Sequence, residues 1–417
     1  MRKILIIGAG QAGLHLGHGL VAAGYDVTLV SAESSTDIRH KRPHVAQFTM
    51  PAARGLERAL NLEFWGADAP EIFGATLHLY TPEGAAVSFS GAFDGPATSV
   101  DRRAKMADWL ESLEDRGAKV VVQGVTVTDL EYFARMFDLV VVAVGHGELG
   151  ELFSENVGSS MTARPRIIAQ ALLDDVARGD ERAIVASSPQ ARVILAPTLT
   201  PQGVCHALFI VEDANAGTID AWASRPRPTE QLALMRDLLS THAPAVYEAV
   251  ADATPIDGLS TTVQTIRPHV RHPVGRLPSG GTVLGLGDVV ISLDPIACQG
   301  WTVSTMAATA YLDRIVAHAD RLFDTAWMAD TFAAFWSGPG NGTYAGAGRA
   351  SATLAAALDG MWSPNAPAHL GEIVTAASTH PAVANRFIGD LIDPRRYESW
   401  LYDPDTARGF IRQVARQ

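Results

Sequence analysis

The residues best placed to do chemistry lie in two glycine-bearing segments far apart in the chain. The first is Gly8-Ala9-Gly10-Gln11-Ala12-Gly13, directly after the apolar run Ile4–Ile7. The second is Gly285-Leu286-Gly287-Asp288, leading into Asp294-Pro295-Ile296-Ala297-Cys298-Gln299-Gly300. A diphosphate needs hydrogen-bond donors, positive potential and room. A glycine turn at a helix start supplies backbone N–H groups, and the aligned peptide dipoles there favour an anion. Gly8 permits the tight turn, Gly10 lets phosphate oxygens lie against bare backbone, and Gly13 lets the helix pack close to its strand. Asp288 follows a strand and Gly287, where it can accept from ribityl or ribose hydroxyls. Donors at the helix start beyond Asp294-Pro295 would face the pyrimidine edge of a flavin, where negative charge collects on reduction. The first segment alone fits any dinucleotide; the pair narrows the ligand to FAD.

Around these segments the residues are less specific. The acidic partner expected about 20 residues after the glycine turn is replaced by Ser31, with Glu33 two residues on. Arg42 and Arg103 are candidates to grip the pyrophosphate, because a guanidinium forks onto phosphate oxygens. His40 and His44 share a helical spacing, but no third metal ligand follows. Cys298 has no histidine partner legible in sequence and reads as pocket lining. No side-chain base is nominated, so the catalytic set is empty.

The elements that must position these residues follow from pattern. Ile4–Ile7, Val27–Val30, Lys119–Val122, Asp138–Gly145 and Val283–Leu286 read as strands, and Gly13–Ala23, Arg102–Arg116 and Val303–Ala319 as helices. The first β-α-β unit has the size of a mononucleotide-binding half. From about residue 150 the style changes, with strands at Val193–Ala196, Cys205–Val211 and Ile266–Val270 and a helix at Thr229–Leu239. The expected fold is therefore α/β. It has a Rossmann-like FAD-binding domain in two pieces (1–150 and 276–330, with 44–100 partly lining a substrate pocket). A β-sheet substrate domain (151–275) and a helical C-terminal region (331–417) complete it.

Composition sets outer bounds. The chain of 417 residues is long enough for two or three domains. Its net charge of −12 argues against nucleic acid or an anionic membrane as partner. Two cysteines exclude a disulfide framework and fit a reducing, cytoplasmic setting. No run approaches the ~18 apolar residues of a membrane span.

Taken together, the motifs resemble the FAD-dependent epoxidase components of styrene and indole monooxygenases, two-component flavoproteins of the aromatic-hydroxylase type. The resemblance is strongest in Ile6–Gly17 and in Gly285-Leu286-Gly287-Asp288 with Asp294-Pro295 and Gln299-Gly300. It is weaker in Val100-Asp101 with Arg103, in Asp138–Gly145 and in Leu208–Glu212. It implies that Gly8, Gly10, Gln11, Ala12, Gly13, Glu33, Arg42, Arg103, Val125, Gly145, Gly287, Asp288, Pro295 and Gly300 hold FAD. It likewise implies that Val45, Gln47, Thr49, His78 and Ala97 meet substrate. Three positions depart from the pattern. Cys298 stands where relatives tend to have glycine, Thr302 where they have asparagine, and Trp301 is bulky for a helix start facing the cofactor.

The resemblance also implies the reaction. A separate NAD(P)H-dependent flavin reductase would supply reduced FAD, since no second nucleotide-binding fold for NAD(P)H is legible in the sequence. With O2 the reduced cofactor would give a flavin C4a-hydroperoxide that epoxidises a small apolar aromatic alkene such as styrene or indole. A homodimer is compatible with the pattern. Two alternatives are a single-component NAD(P)H-dependent aromatic hydroxylase and a non-catalytic flavin-binding protein. The first would show an Asp-Gly pair near Val140–Gly150, where none stands.

Overall fold

Runs such as Ile4–Ile7 and Leu139–Val142 carry no polar alternation, so they are stable only as strands covered on both faces. In the computed structural model, which describes residues 1–81, 86–145, 147–158, 164–177, 181–214, 222, 226–338, 342–363 and 365–416, they form the centre of a six-stranded sheet. Its order is Val274–Arg276, Thr282–Gly285, Leu139–Val142, Lys3–Ile7, Asp26–Ser31, Lys119–Val122. All pairings are parallel except that of the edge strand Val274–Arg276. Leu5 lies opposite Thr28 on one side and Val140 on the other. Gly285, which opens the distant second segment, lies opposite Val142. The helices Gln11–Ala22 and Gly300–His318 pack against each other beside this sheet.

A second sheet runs Thr254–Pro255, Arg166–Asp174, Gly203–Asp213, Ala191–Thr200, Ala183–Ser187, Glu71–Tyr80, Ala86–Thr98, and Thr261–Ile266 also pairs with Arg166–Asp174. It is antiparallel apart from the pairing of Glu71–Tyr80 with Ala183–Ser187. Side chains alternate across a strand, and the two faces bury different partners. Ile167, Ala169, Ala171 and Leu173 share a core with Leu232, Met235 and Leu239 of the helix Pro228–His242. Ile168 and Leu172 share another with Ile373, Val383 and Phe387 of the C-terminal helices Ala368–Thr379 and Pro381–Gly389.

The expected α/β class with a helical C-terminal region is the observed one. The division into ranges differs in detail. Residues 71–98 supply two strands of the second sheet, although the sequence assigned them to the first domain. The expected strand Ile266–Val270 is broken at Arg267-Pro268, where proline cannot donate to a ladder. The glycine-rich stretch Ser337–Gly348 lies partly outside the described residues. Among the described residues, no helix is long and apolar enough to cross a membrane.

The helix Gln11–Ala22 carries two histidines into the core. His15 shares a hydrogen bond of 3.0 Å with the Thr309 hydroxyl, and His18 one of 2.9 Å with the Trp109 carbonyl. Burial holds the His15 pKa down at about 3 and that of His18 at about 4. Both are thus neutral when folded, and the unfolded chain binds protons that the folded one rejects below pH 6.5. Their contribution is complete above that value and is lost as pH falls toward 4 and 3. The unfolding free energy from urea titrations should therefore drop between pH 6.5 and 4, by at most about 1.4 kcal/mol per pH unit per histidine. A His15→Gln chain should show a flatter profile, and an unchanged slope would refute the assignment.

Candidate functional site

At the end of Lys3–Ile7 the backbone turns with Gly8 at φ +117°, in the left-handed region that favours glycine. A Cβ on Gly8 would lie 2.5 Å from the Ala143 carbonyl oxygen, and one on Gly13 would lie 2.2 Å from the Gly8 oxygen. Gly10 is different, because a Cβ there would meet nothing within 4 Å. Its bare backbone opens onto a cavity of about 480 Å3. This trough follows the C-terminal ends of the parallel strands, the place where open α/β sheets bind ligands. Gly8–Ala12, Ser31–Glu33, Gly124-Val125, Ala143–Gly145 and Gly287-Asp288 line it, together with Trp301.

A second cavity of about 520 Å3 lies beyond Trp301. Val45, Phe48, Ile168, Phe209 and Leu293 give it apolar walls, and Gln47, Pro295, Cys298 and Gly300 form part of its lining. Arg102, Gly145, Asp288 and Trp301 line both cavities, so the two meet at one wall. The loop between Asp294 and Gly300 is held from both sides. Asp294 accepts from Ile296 N at 3.1 Å and from Arg166 Nε at 2.9 Å, while Gln299 Nε2 donates to the Leu391 carbonyl at 2.9 Å. Cys298 sits at φ +55°, a conformation strained for a residue with a Cβ. Burial pushes its thiol up to about 12, so it stays protonated and inert as a nucleophile.

The structure gathers most of the sequence-predicted residues. Gly8, Gly10, Gln11, Ala12, Glu33, Val125, Gly145, Gly287 and Asp288 line the trough, and Gly13 supports the turn beneath it. Val45, Gln47, Pro295 and Gly300 line the second cavity. Five others line neither cavity. Arg42 is exposed. Arg103 is buried in an ion pair with Asp101 at 2.9 Å, one turn-start residue gripping another. Thr49 is buried, and its hydroxyl accepts from Lys105 Nζ at 3.0 Å. His78 shares a 2.8 Å hydrogen bond with Ser88 across the sheet and stacks on Tyr80. Ala97 is packed in the core opposite Ile72.

The cation that does reach the trough is Arg102, next to the residue singled out in sequence. Burial holds its guanidinium below the usual value, against the opposing pull of Asp288 and Glu33. Its Nε is buried with no hydrogen-bond partner. Such an orphaned charged donor asks for an acceptor. A cofactor diphosphate meets that need, and the empty space before Gly10 meets its size. The residues present therefore fit a bound dinucleotide.

The architecture is the expected Rossmann-like type, with the glycine turn and the Gly-Asp motif facing one trough. Solved structures share it across their length. The chain covers 100% of itself and 99% of the flavin-dependent brominase Bmp2 at TM-score 0.65 and 14% identity. It covers 99% of itself and of a flavoprotein/dehydrogenase from Cytophaga hutchinsonii at TM-score 0.66 and 13% identity. At those identities the likeness speaks for the fold alone. Residues 145–249 match the family model for the styrene monooxygenase A substrate-binding domain. The styrene monooxygenase StyA of Pseudomonas fluorescens is 30% identical over 331 residues, 76% of this chain and 78% of that protein. The chain belongs to the styrene monooxygenase family, and it is a flavin-dependent monooxygenase.

Proposed function

We propose that the protein uses reduced FAD, delivered by a separate NAD(P)H-dependent flavin reductase, to epoxidise a small apolar aromatic alkene of the styrene or indole kind. The observation that carries this reading is the shared wall of the two cavities. A cofactor in the trough would present its reactive edge to a guest in the second cavity, held against Val45, Phe48, Ile168 and Phe209 with His44, Gln264 and Asp294 also in the lining. Bound reduced FAD would supply the activation of O2 and the transfer of one oxygen atom.

The chain's own residues bind, orient and exclude water. Arg102 and the N–H groups of the turn at Gly10 receive the diphosphate, and Asp288 accepts from the ribityl chain. The helix Gly300–His318 begins without a side-chain cap. Its first N–H groups, which have no intrahelical acceptors in any helix, receive none from a capping side chain either and serve the pyrimidine edge, where they stabilise negative charge. Asp294 is paired with Arg166, and burial keeps the Cys298 thiol protonated. An alkene has no proton to remove, so no base is needed.

Mixing the protein with chemically reduced FAD, air and styrene or indole tests the reading. Styrene oxide, or blue indigo from indole, is the expected product. Reoxidation that yields only hydrogen peroxide with every alkene offered would refute it. Arg102→Gln should weaken FAD binding at least about tenfold with little change in thermal midpoint. Arg103→Gln should do the reverse, because it leaves Asp101 buried without its partner. Titration with FAD and thermal melting of the two variants would show equal losses of affinity if the assignment were mistaken.

A further inference from the structure

Lys105 is an unusual residue to find inside a helix of this fold, only 1% exposed. Its Nζ donates to Glu57 Oε1 at 2.7 Å and to Thr49 Oγ1 at 3.0 Å. The same ammonium lies 4.8 Å from the ring centroid of Trp109 and 4.6 Å from that of Trp301. Trp109 is fully buried, and its Nε1 donates to the Leu62 carbonyl at 2.9 Å. The cation is therefore anchored on three sides, and the Trp301 ring docks onto it from the fourth. Glu57 also accepts from Gln11 Nε2 at 2.7 Å, and that amide donates to Thr305 Oγ1 at 2.9 Å. Thr305 in turn donates to the Trp301 carbonyl at 2.9 Å. Both the backbone and the ring of Trp301 are thus tied to one buried network.

Trp301 is also the largest side chain lining both cavities. We propose that Trp301 is the partition that limits how far a guest in the second cavity reaches toward the trough, and that Lys105 is the residue that positions it. This rests on the flavin reading given above. A cation held against the face of an indole fixes the ring's plane as well as its place. Removing the ring joins the chambers. Removing the cation leaves the ring but frees its orientation.

An indole beside a flavin quenches its fluorescence by donating an electron to the excited ring. Oxidised FAD titrated into the wild-type protein should therefore lose most of its emission, and Trp301→Phe should leave the bound FAD several times brighter. Trp301→Ala should raise the ratio of 2-vinylnaphthalene to styrene epoxidation about tenfold, whereas Trp301→Phe, which keeps a ring, should hold the wild-type ratio. Lys105 is tested in the double variant Lys105→Met/Glu57→Gln, since the single change strands Glu57. Its ratio should fall between wild type and Trp301→Ala. Equal brightness of FAD bound to wild type and Trp301→Phe, or an unchanged ratio in Trp301→Ala, would overturn the partition. A wild-type ratio and brightness in the double variant would overturn the role of Lys105. Wild-type protein that holds no FAD brings down the cofactor reading and the partition together. If it holds FAD but oxygenates neither alkene, the substrate reading falls and the fluorescence comparison alone decides the partition.

Discussion

A Gly10→Val chain should fold as the natural one does and yet hold no FAD. At Gly10 the backbone is extended, with φ −93° and ψ −179°, so a side chain brings no conformational strain. A Cβ there touches no protein atom within 4 Å. The only thing a valine fills is the space reserved for the diphosphate. Affinity should fall by at least about a hundredfold, or ~2.7 kcal/mol, while the thermal midpoint stays within a degree or two of the parent. Gly13→Ala provides the contrast. Its Cβ would stand 2.2 Å from the Gly8 oxygen, so it should cost folding itself. Circular dichroism and FAD titration of both variants separate the two roles. Firm FAD binding by Gly10→Val would remove the basis for placing the cofactor.

Lys105→Met should be strongly destabilising. Lys105 and Glu57 are 2% and 4% exposed at their side chains and pair at 2.7 Å. Breaking such a pair strands a carboxylate in a low-dielectric interior, at a cost of about 3–5 kcal/mol. Burial holds the Lys105 ammonium below its usual pKa, and Glu57 pulls it back up. Adding Glu57→Gln removes the stranded charge and should restore most of the loss. Urea unfolding of the single and double variants checks this. If the double variant is less stable than Lys105→Met, the pair is not the source of the effect.

Much of the fold was legible because its signals are local and apolar. Ile4–Ile7 and Leu139–Val142 have one stable use, and the glycine turn after the first strand has a mechanical reason at each glycine. The cofactor trough was readable for the same reason, since its walls are strand ends. What sequence could not settle is direction. Arg102 and Arg103 begin one helix, and neighbours on a helix diverge by about 100°, so only packing decides that Arg103 turns to Asp101 and Arg102 to the trough. His78 lies in a strand where Leu77 and Leu79 face the core, and it takes the other face with Ser88. Which sheet that strand joined was hidden in sequence, because its parallel partner Ala183–Ser187 is remote. Lys105 was passed over because a lysine on an amphipathic helix ordinarily faces water. Nothing nearby in sequence marks the Glu57 and the two tryptophans that surround it.

The parallel pairing of Thr282–Gly285 with Leu139–Val142 has a consequence for biosynthesis. The N-terminal strands leave the ribosome early, but the strand beside Val141 is made only after the whole of the second sheet's central hairpins. At ordinary elongation rates that delay is on the order of ten seconds. Throughout it, the nascent chain carries an apolar strand edge with no neighbour, a template for pairing between chains. Yield in a host should thus depend on chaperone capacity and on slower, cooler expression, more than on the stability of the finished molecule.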